Sequence, residues 1–360
     1  MRRGLAGRVP RTLMSVLSVL VAVALVACLP YVVHIGWSDI LARFETLDVP
    51  VVIGLFLLWF AGLWAYSYVL TASLPGLTRP QALTLNAAGS AVSNLMPFGG
   101  AAGVALTFAL ARSWGHRTHA VAGSTVASGL WNLMARFLLP AFGLLALVAT
   151  GRVPDGRLAV AAASAAAALV GVVLATVTAL RWDGAAERVG RAADALVRLV
   201  PHRVRPRARP SEALVHLRTT TGDLVRSAWP AMTAGMLAYL TLQAGLFCAC
   251  LLATGAYVGL GEAIAAFALG RLLTTMVVTP GGFGITEAGT AAVLVSLGGP
   301  AGPVAAAVLL FATFTYVLEI PLGACFWSIR GIVGRSTVRA RTRMGNLSVR
   351  GAEGSGSPGR

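Results

Sequence analysis

Four ionisable side chains fall where such side chains are costly. Arg136, Arg271, Glu287 and Glu319 each lie inside an apolar stretch of bilayer length. A lone charge at the centre of a membrane helix costs about 2.5–3.5 kcal/mol on insertion scales, so it faces a partner or a water-filled cavity. Two guanidiniums and two carboxyls at that depth could hold a charged group mid-membrane or carry a proton. Glu287 ends the run Thr279-Pro280-Gly281-Gly282-Phe283-Gly284-Ile285-Thr286-Glu287. Pro280 lacks an amide donor and stops a helix. Gly281, Gly282 and Gly284 reach backbone angles closed to other residues. Broken backbone at membrane depth survives only where protein or a cavity shelters it. Glu287 has two readings: contact with a charged substrate or a proton, or capping of the half-helix that follows Gly284.

A second broken stretch stands earlier in the chain: Asn94-Leu95-Met96-Pro97-Phe98-Gly99-Gly100-Ala101-Ala102-Gly103. A shift of 183 residues superposes the two. Pro97 meets Pro280, Gly99 meets Gly282, and five further identities follow by Gly115 and Gly298, seven in nineteen positions. The same shift sets Arg136 opposite Glu319, either as an ion pair or as two walls of one cavity. It sets Glu287 opposite Val104, so the halves match in build and differ in chemistry. Pro97, Gly99, Gly100 and Gly103, with Pro280, Gly281, Gly282 and Gly284, are the expected helix breaks and hinges. Arg136, Arg271, Glu287, Glu319 and Asn94 are the expected substrate contacts.

The elements that position these residues follow from composition. The chain has 360 residues, 57% hydrophobic and 12% charged, with mean hydropathy +0.77, where a soluble domain carries roughly a quarter charged residues. The expected architecture is an all-α, polytopic membrane bundle with two Gly/Pro-broken, re-entrant segments in an inverted repeat. Its parts are a basic N-terminus, 1–11; a first half, 12–180, with the broken segment 81–112; an Arg-rich amphipathic segment, 181–228; a second half, 229–330, with the broken segment 262–298; and a basic tail, 331–360, disordered by composition. Full spans are expected near 12–33, 49–74, 118–150, 158–180, 229–254 and 302–329. The first, Arg-flanked at its start, could also be read as a signal peptide, and Leu25-Val26-Ala27-Cys28 resembles a lipoprotein cleavage box. The apolar run continues past Cys28, which favours a retained helix. Tyr66, among Trp59, Trp64 and Tyr68, could line a site or serve as packing.

The net charge of +16 is carried entirely by Arg. These residues gather beside the spans: Arg79, Arg112, Arg117, ten in the central segment, Arg330 and six in the tail fall on one side with the N-terminus, against Arg43, Arg152 and Arg157 on the other. That bias puts both termini in the cytoplasm of a bacterial plasma membrane and accounts for the charge without nucleic acid. His116 and His119 stand beside Arg112 and Arg117, a poor setting for a cation. The four cysteines fall in apolar spans without metal or disulfide spacing. No metal, cofactor or catalytic residue is assigned, and a homo-oligomer is compatible with the sequence.

Pro280-Gly281-Gly282-Phe283-Gly284-Ile285-Thr286-Glu287, followed by Gly298, resembles the signature of the flippase-like membrane region of the lysylphosphatidylglycerol synthase family. Asn94, Pro97 and Gly103 resemble its first motif, Arg136 is placed like an Arg of its middle span, and Pro321 with Gly323 resemble its closing motif. After Gly103 this chain has Val104, Ala105 and Leu106, where that family often has an acidic residue and then an Arg. The resemblance covers roughly residues 12–330. It implies movement of a lipid or lipid-linked molecule between leaflets, with membrane lipids as partners: an anionic or aminoacylated phospholipid, or a lipid-linked intermediate. The alternatives are a membrane-embedded lipid-modifying transferase or its subunit, and a small-solute transporter. The only acidic cluster, Asp39, Glu45 and Asp48, reads as loop charge rather than a catalytic group, and no phosphate-binding loop is present.

Overall fold

A computed structural model describes residues 37–95, 99–149, 151, 156–182, 184, 188, 191, 210–274 and 282–326. Among them every regular element is a helix. In chain order these are α1 (Trp37–Glu45), α2 (Val49–Ser73), α3 (Arg79–Leu95), α4 (Gly99–Ser113), α5 (Thr118–Ala149), α6 (Gly156–Arg181), α7 (Pro210–Thr254), α8 (Leu260–Leu273), α9 (Ile285–Ser296) and α10 (Ala301–Phe326). Among the described residues four segments are long and apolar enough to cross a membrane: α2, α5, Arg226–Thr254 within α7, and α10. The chain is a polytopic helical membrane protein. The expected first span with Cys28, the break residues Pro97, Pro280 and Gly281, most of 183–209 within the Arg-rich amphipathic segment, and the tail lie outside the described residues.

Both broken segments consist of short helices. α3 and α4 have 17 and 15 residues, α8 and α9 have 14 and 12. None reaches the roughly 20 residues that a straight crossing needs. Each pair folds back as a hairpin held by small residues. A side chain at Gly103 would come 2.6 Å from the Gly89 carbonyl oxygen, and one at Gly89 would come 2.8 Å from Thr107. In the second hairpin a side chain at Gly270 would come 2.7 Å from Thr290. Thr107 and Thr290 are equivalent under the 183-residue shift, and each receives a glycine of the preceding arm.

Two expectations change. Gly103 is not a break: it lies inside α4, where its missing side chain lets α3 approach, while Gly99 and Gly100 open that helix. The Arg-rich amphipathic segment, expected to stop at 228 before a separate span, is continuous with that span from Pro210: α7 runs unbroken for 45 residues through Pro230. Proline is tolerated at a helix start, and Leu214, Leu217, Thr221 and Leu224 recur at helical spacing beyond it. Asp39 and Glu45 belong to the short helix α1.

Small residues also set the packing of the long helices, as expected where lipid removes the hydrophobic drive between them. α7 lies against α2 at Gly235, where a side chain would stand 3.1 Å from the Val69 backbone nitrogen. α5 lies against α8 at Gly143, where it would stand 2.9 Å from the Ala265 Cα. Phe247, Phe267, Leu294 and Val304–Val308 form one apolar cluster, and Leu55, Trp59, Leu83, Leu246 and Phe314 form another. α10 carries a π-helical turn over Thr313–Val317, closed by the Leu318 amide donating to the Thr313 carbonyl at 2.9 Å.

Candidate functional site

Between these clusters lies a cavity of about 510 Å³, walled by α2, α3, α4, α5, α7, α8, α9 and α10. All five residues expected to contact substrate line it: Asn94, Arg136, Arg271, Glu287 and Glu319. Its volume falls in the range of small-molecule sites, about 300–1,000 Å³.

Arg136 enters from α5. At 1.5 Å per residue it stands about 27 Å from Thr118 and about 20 Å from Ala149, near the middle of a helix longer than the bilayer core. Arg271 enters from the last turn of α8, just before the second break. The two guanidiniums are close enough to feel each other's charge. Arg271 Nη2 donates to the Tyr239 hydroxyl at a long 3.5 Å, and its Cζ stands 5.7 Å from that ring's centroid. Both Arg136 Nε and Arg271 Nε are buried without a hydrogen-bond partner. Among the described residues neither guanidinium forms an ion pair, and Glu319 reaches Arg271 only as a longer-range charge. Arg136 and Glu319 therefore do not pair; each is part of the cavity wall.

The two carboxyls are held differently. Glu287 is 2% exposed and accepts the Gly284 amide, the reciprocal half of a capping box. Gly284 supplies this contact at φ 89°, a left-handed angle that favours glycine. The capping reading of Glu287 is thus realised in the same residue that lines the cavity. Thr286, beside it, donates to the Gly282 carbonyl at 3.0 Å and also bonds the Tyr316 side chain. Glu319, on α10 two residues beyond the π-helical stretch, lies against Ser90 and Asn94 of α3. Asn94 Nδ2 faces that carboxyl at long range and makes no hydrogen bond of ordinary geometry.

Several lining residues were not singled out by sequence reasoning: Asn132, Tyr239, Gln243, Thr290 and Tyr316. Tyr66, weighed between site and packing, is in the wall; Trp59 is in the apolar core, and Trp64 and Tyr68 are exposed. Asn132 donates to the Tyr66 hydroxyl at 2.6 Å, and the Tyr66 and Tyr239 rings meet at 5.1 Å, tilted by 60°. A readable signal existed on α5: Thr125, Ser128, Asn132 and Arg136 recur at helical spacing on an otherwise apolar helix, and all four line the cavity. Gln243 and Thr290 are 3% and 4% exposed, and Gln243 Oε1 and Thr290 Oγ1 have no partner. With Asn94 Nδ2, Arg136 Nε and Arg271 Nε, five polar atoms of one cavity wall, two of them cationic, are thus left for something in the cavity to satisfy. Among the described residues no group of three His, Cys, Asp or Glu could hold a metal ion.

The family described as the lysylphosphatidylglycerol synthase TM region matches residues 15–323 of this chain. No curated protein is similar to it at a significant level.

Proposed function

Since the chain belongs to the lysylphosphatidylglycerol synthase transmembrane-region family, a family of lipid modification or flipping, we propose that it is a lipid translocase. A phosphate-bearing head group passes through the cavity while its acyl chains stay in the bilayer. The observation that carries this reading is the pair Arg136 and Arg271. Two half-buried arginines share one cavity near mid-membrane, each with a buried, idle Nε and neither neutralised by an ion pair among the described residues. An uncompensated charge at that depth is unfavourable, and a bound phosphate repays it with charge-assisted, bidentate hydrogen bonds. Glu319, with Ser90 and Asn94, offers a second pole on the opposite wall for the rest of the head group.

The short hairpins α3–α4 and α8–α9 supply broken helix ends beside the cavity, which suits the alternating access of inverted-repeat transporters. In this reading the two hairpins enter from opposite faces, and the Arg-rich side with both termini is cytoplasmic.

The test is transbilayer movement of labelled phosphatidylglycerol in liposomes carrying the purified protein. Acceleration over empty liposomes, lost in Arg136→Met and Arg271→Met, is the expected outcome. Full acceleration in the double variant would move the site elsewhere.

A further inference from the structure

The cavity has a mouth, and its position says where a lipid gets in. Of the residues that line it, three are exposed: Gly100 and Val104 on α4, and Gly129 on α5. Val104 is 47% exposed, and a side chain built at Gly100 or Gly129 meets nothing within 4 Å. Every other lining residue is buried or half-buried. The opening therefore lies between two helices, on the flank of the bundle.

The depth of the mouth is set by α5. Gly129 stands about 10 Å from Arg136 toward Thr118 and about 16 Å from Thr118 itself. At that end of the bundle Arg79 opens α3, Arg112 closes α4 and donates to the His116 carbonyl at 2.7 Å, and Arg117 precedes α5. The mouth faces the leaflet on this basic side. Thr125 and Ser128 flank it on α5, and Asn132 leads from it to Arg136. At the inner end stand Gln243 and Thr290, both more than nine-tenths buried, with Oε1 and Oγ1 unpartnered.

We propose that the gap between α4 and α5 is the lateral portal by which a phospholipid enters from the leaflet on the Arg79–Arg112–Arg117 side, its head group sliding inward along the polar face of α5 and its chains remaining outside. This rests on the translocase reading and adds the route and the leaflet. The geometry divides the lipid in that way. The cavity holds about 510 Å³, enough for a head group. Two acyl chains, each spanning a leaflet of about 15 Å, have to lie beyond it. The lips suit this division: Val104 is apolar, and Gly100 and Gly129 are bare.

Two measurements test the portal. In liposomes, Gly129→Trp and Val104→Trp narrow the mouth from opposite lips, while Gly54→Trp, on the outer face of α2 with nothing within 4 Å of a new side chain, adds the same bulk away from it. The expected result is at least a tenfold drop in phosphatidylglycerol movement for the first two, with the third within twofold of wild type. In nanodiscs, phosphatidylglycerol with a photoreactive diazirine beside its phosphate is activated and the adducts mapped. Adducts are expected on 100–107 and 125–132, reduced in Arg136→Met/Arg271→Met. Wild-type movement that both lip variants leave unchanged would overturn the portal and leave translocation standing. No movement by wild type would sink the translocase reading, and the adducts would then decide the portal alone: concentrated at the mouth they sustain it, no denser there than around Gly54 they overturn it.

Discussion

Replacing Arg271 by Met should cost transport and spare the fold. Arg271 has no ion-pair partner among the described residues, its Nε is unbonded, and its one hydrogen bond, to Tyr239, is stretched to 3.5 Å. Removing it strands no close carboxylate, so the 3–5 kcal/mol penalty of breaking a buried pair does not apply. Met fills a similar volume and removes a charge that the membrane disfavours, so the unfolding temperature should hold or rise. The loss appears in function. A hydrogen bond to a charged group is worth about 1.5–3 kcal/mol, and at about 1.4 kcal/mol per decade the rate should fall roughly ten- to hundredfold. Movement of labelled phosphatidylglycerol in liposomes gives the rate, and thermal unfolding in the same detergent gives the stability. A large loss of stability, with the surviving folded protein transporting at the wild-type rate, would refute the reasoning and make Arg271 a packing residue.

Three further outcomes follow from the same structure. Glu287→Ala removes the acceptor of the Gly284 amide and should lower stability by about 1 kcal/mol, the usual worth of a helix cap, whereas Glu287→Gln keeps an acceptor and should recover most of it; equal loss in both, read by thermal unfolding, would mean that the charge rather than the cap matters. Gly103→Ala puts a carbon 2.6 Å from the Gly89 oxygen and should destabilise the α3–α4 hairpin by about 1–3 kcal/mol, while Gly54→Ala, with open space around it, should stabilise α2 by roughly 0.5–1 kcal/mol; a neutral Gly103→Ala would contradict the close approach. In a variant stripped of its native cysteines, His116→Cys should react with an impermeant thiol reagent only from the cytoplasmic side and Arg157→Cys only from the other; the reverse pattern would invert the orientation.

Much of this site was legible in the sequence because membrane burial makes charge conspicuous. Arg136, Arg271, Glu287 and Glu319 stand out of apolar stretches for the reason that brings them to one cavity: a charge that cannot face lipid turns inward. Proline and glycine marked the two breaks, and the flanking helices lie where hydropathy put them. What escaped was written in weaker terms. Gln243, Thr290 and Tyr239 are polar side chains that membrane helices tolerate anywhere in a bundle, and only three-dimensional proximity makes them a wall. Gly103 reads as a break because glycine permits one, but inside α4 its value is the missing side chain under α3. The pairing of Arg136 with Glu319 was left open by the repeat, since a register shift says which residues correspond and not which touch.

The most direct test of lipid translocation sets two cargoes side by side in the same reconstituted liposomes: labelled phosphatidylglycerol in the bilayer and its soluble counterpart, glycerol phosphate, in the medium. A cavity that opens on the flank of the bundle should accelerate movement of the lipid above empty liposomes and leave the soluble phosphate outside. Uptake of glycerol phosphate, with the lipid still crossing at the protein-free rate, would contradict the account and make this protein a solute transporter.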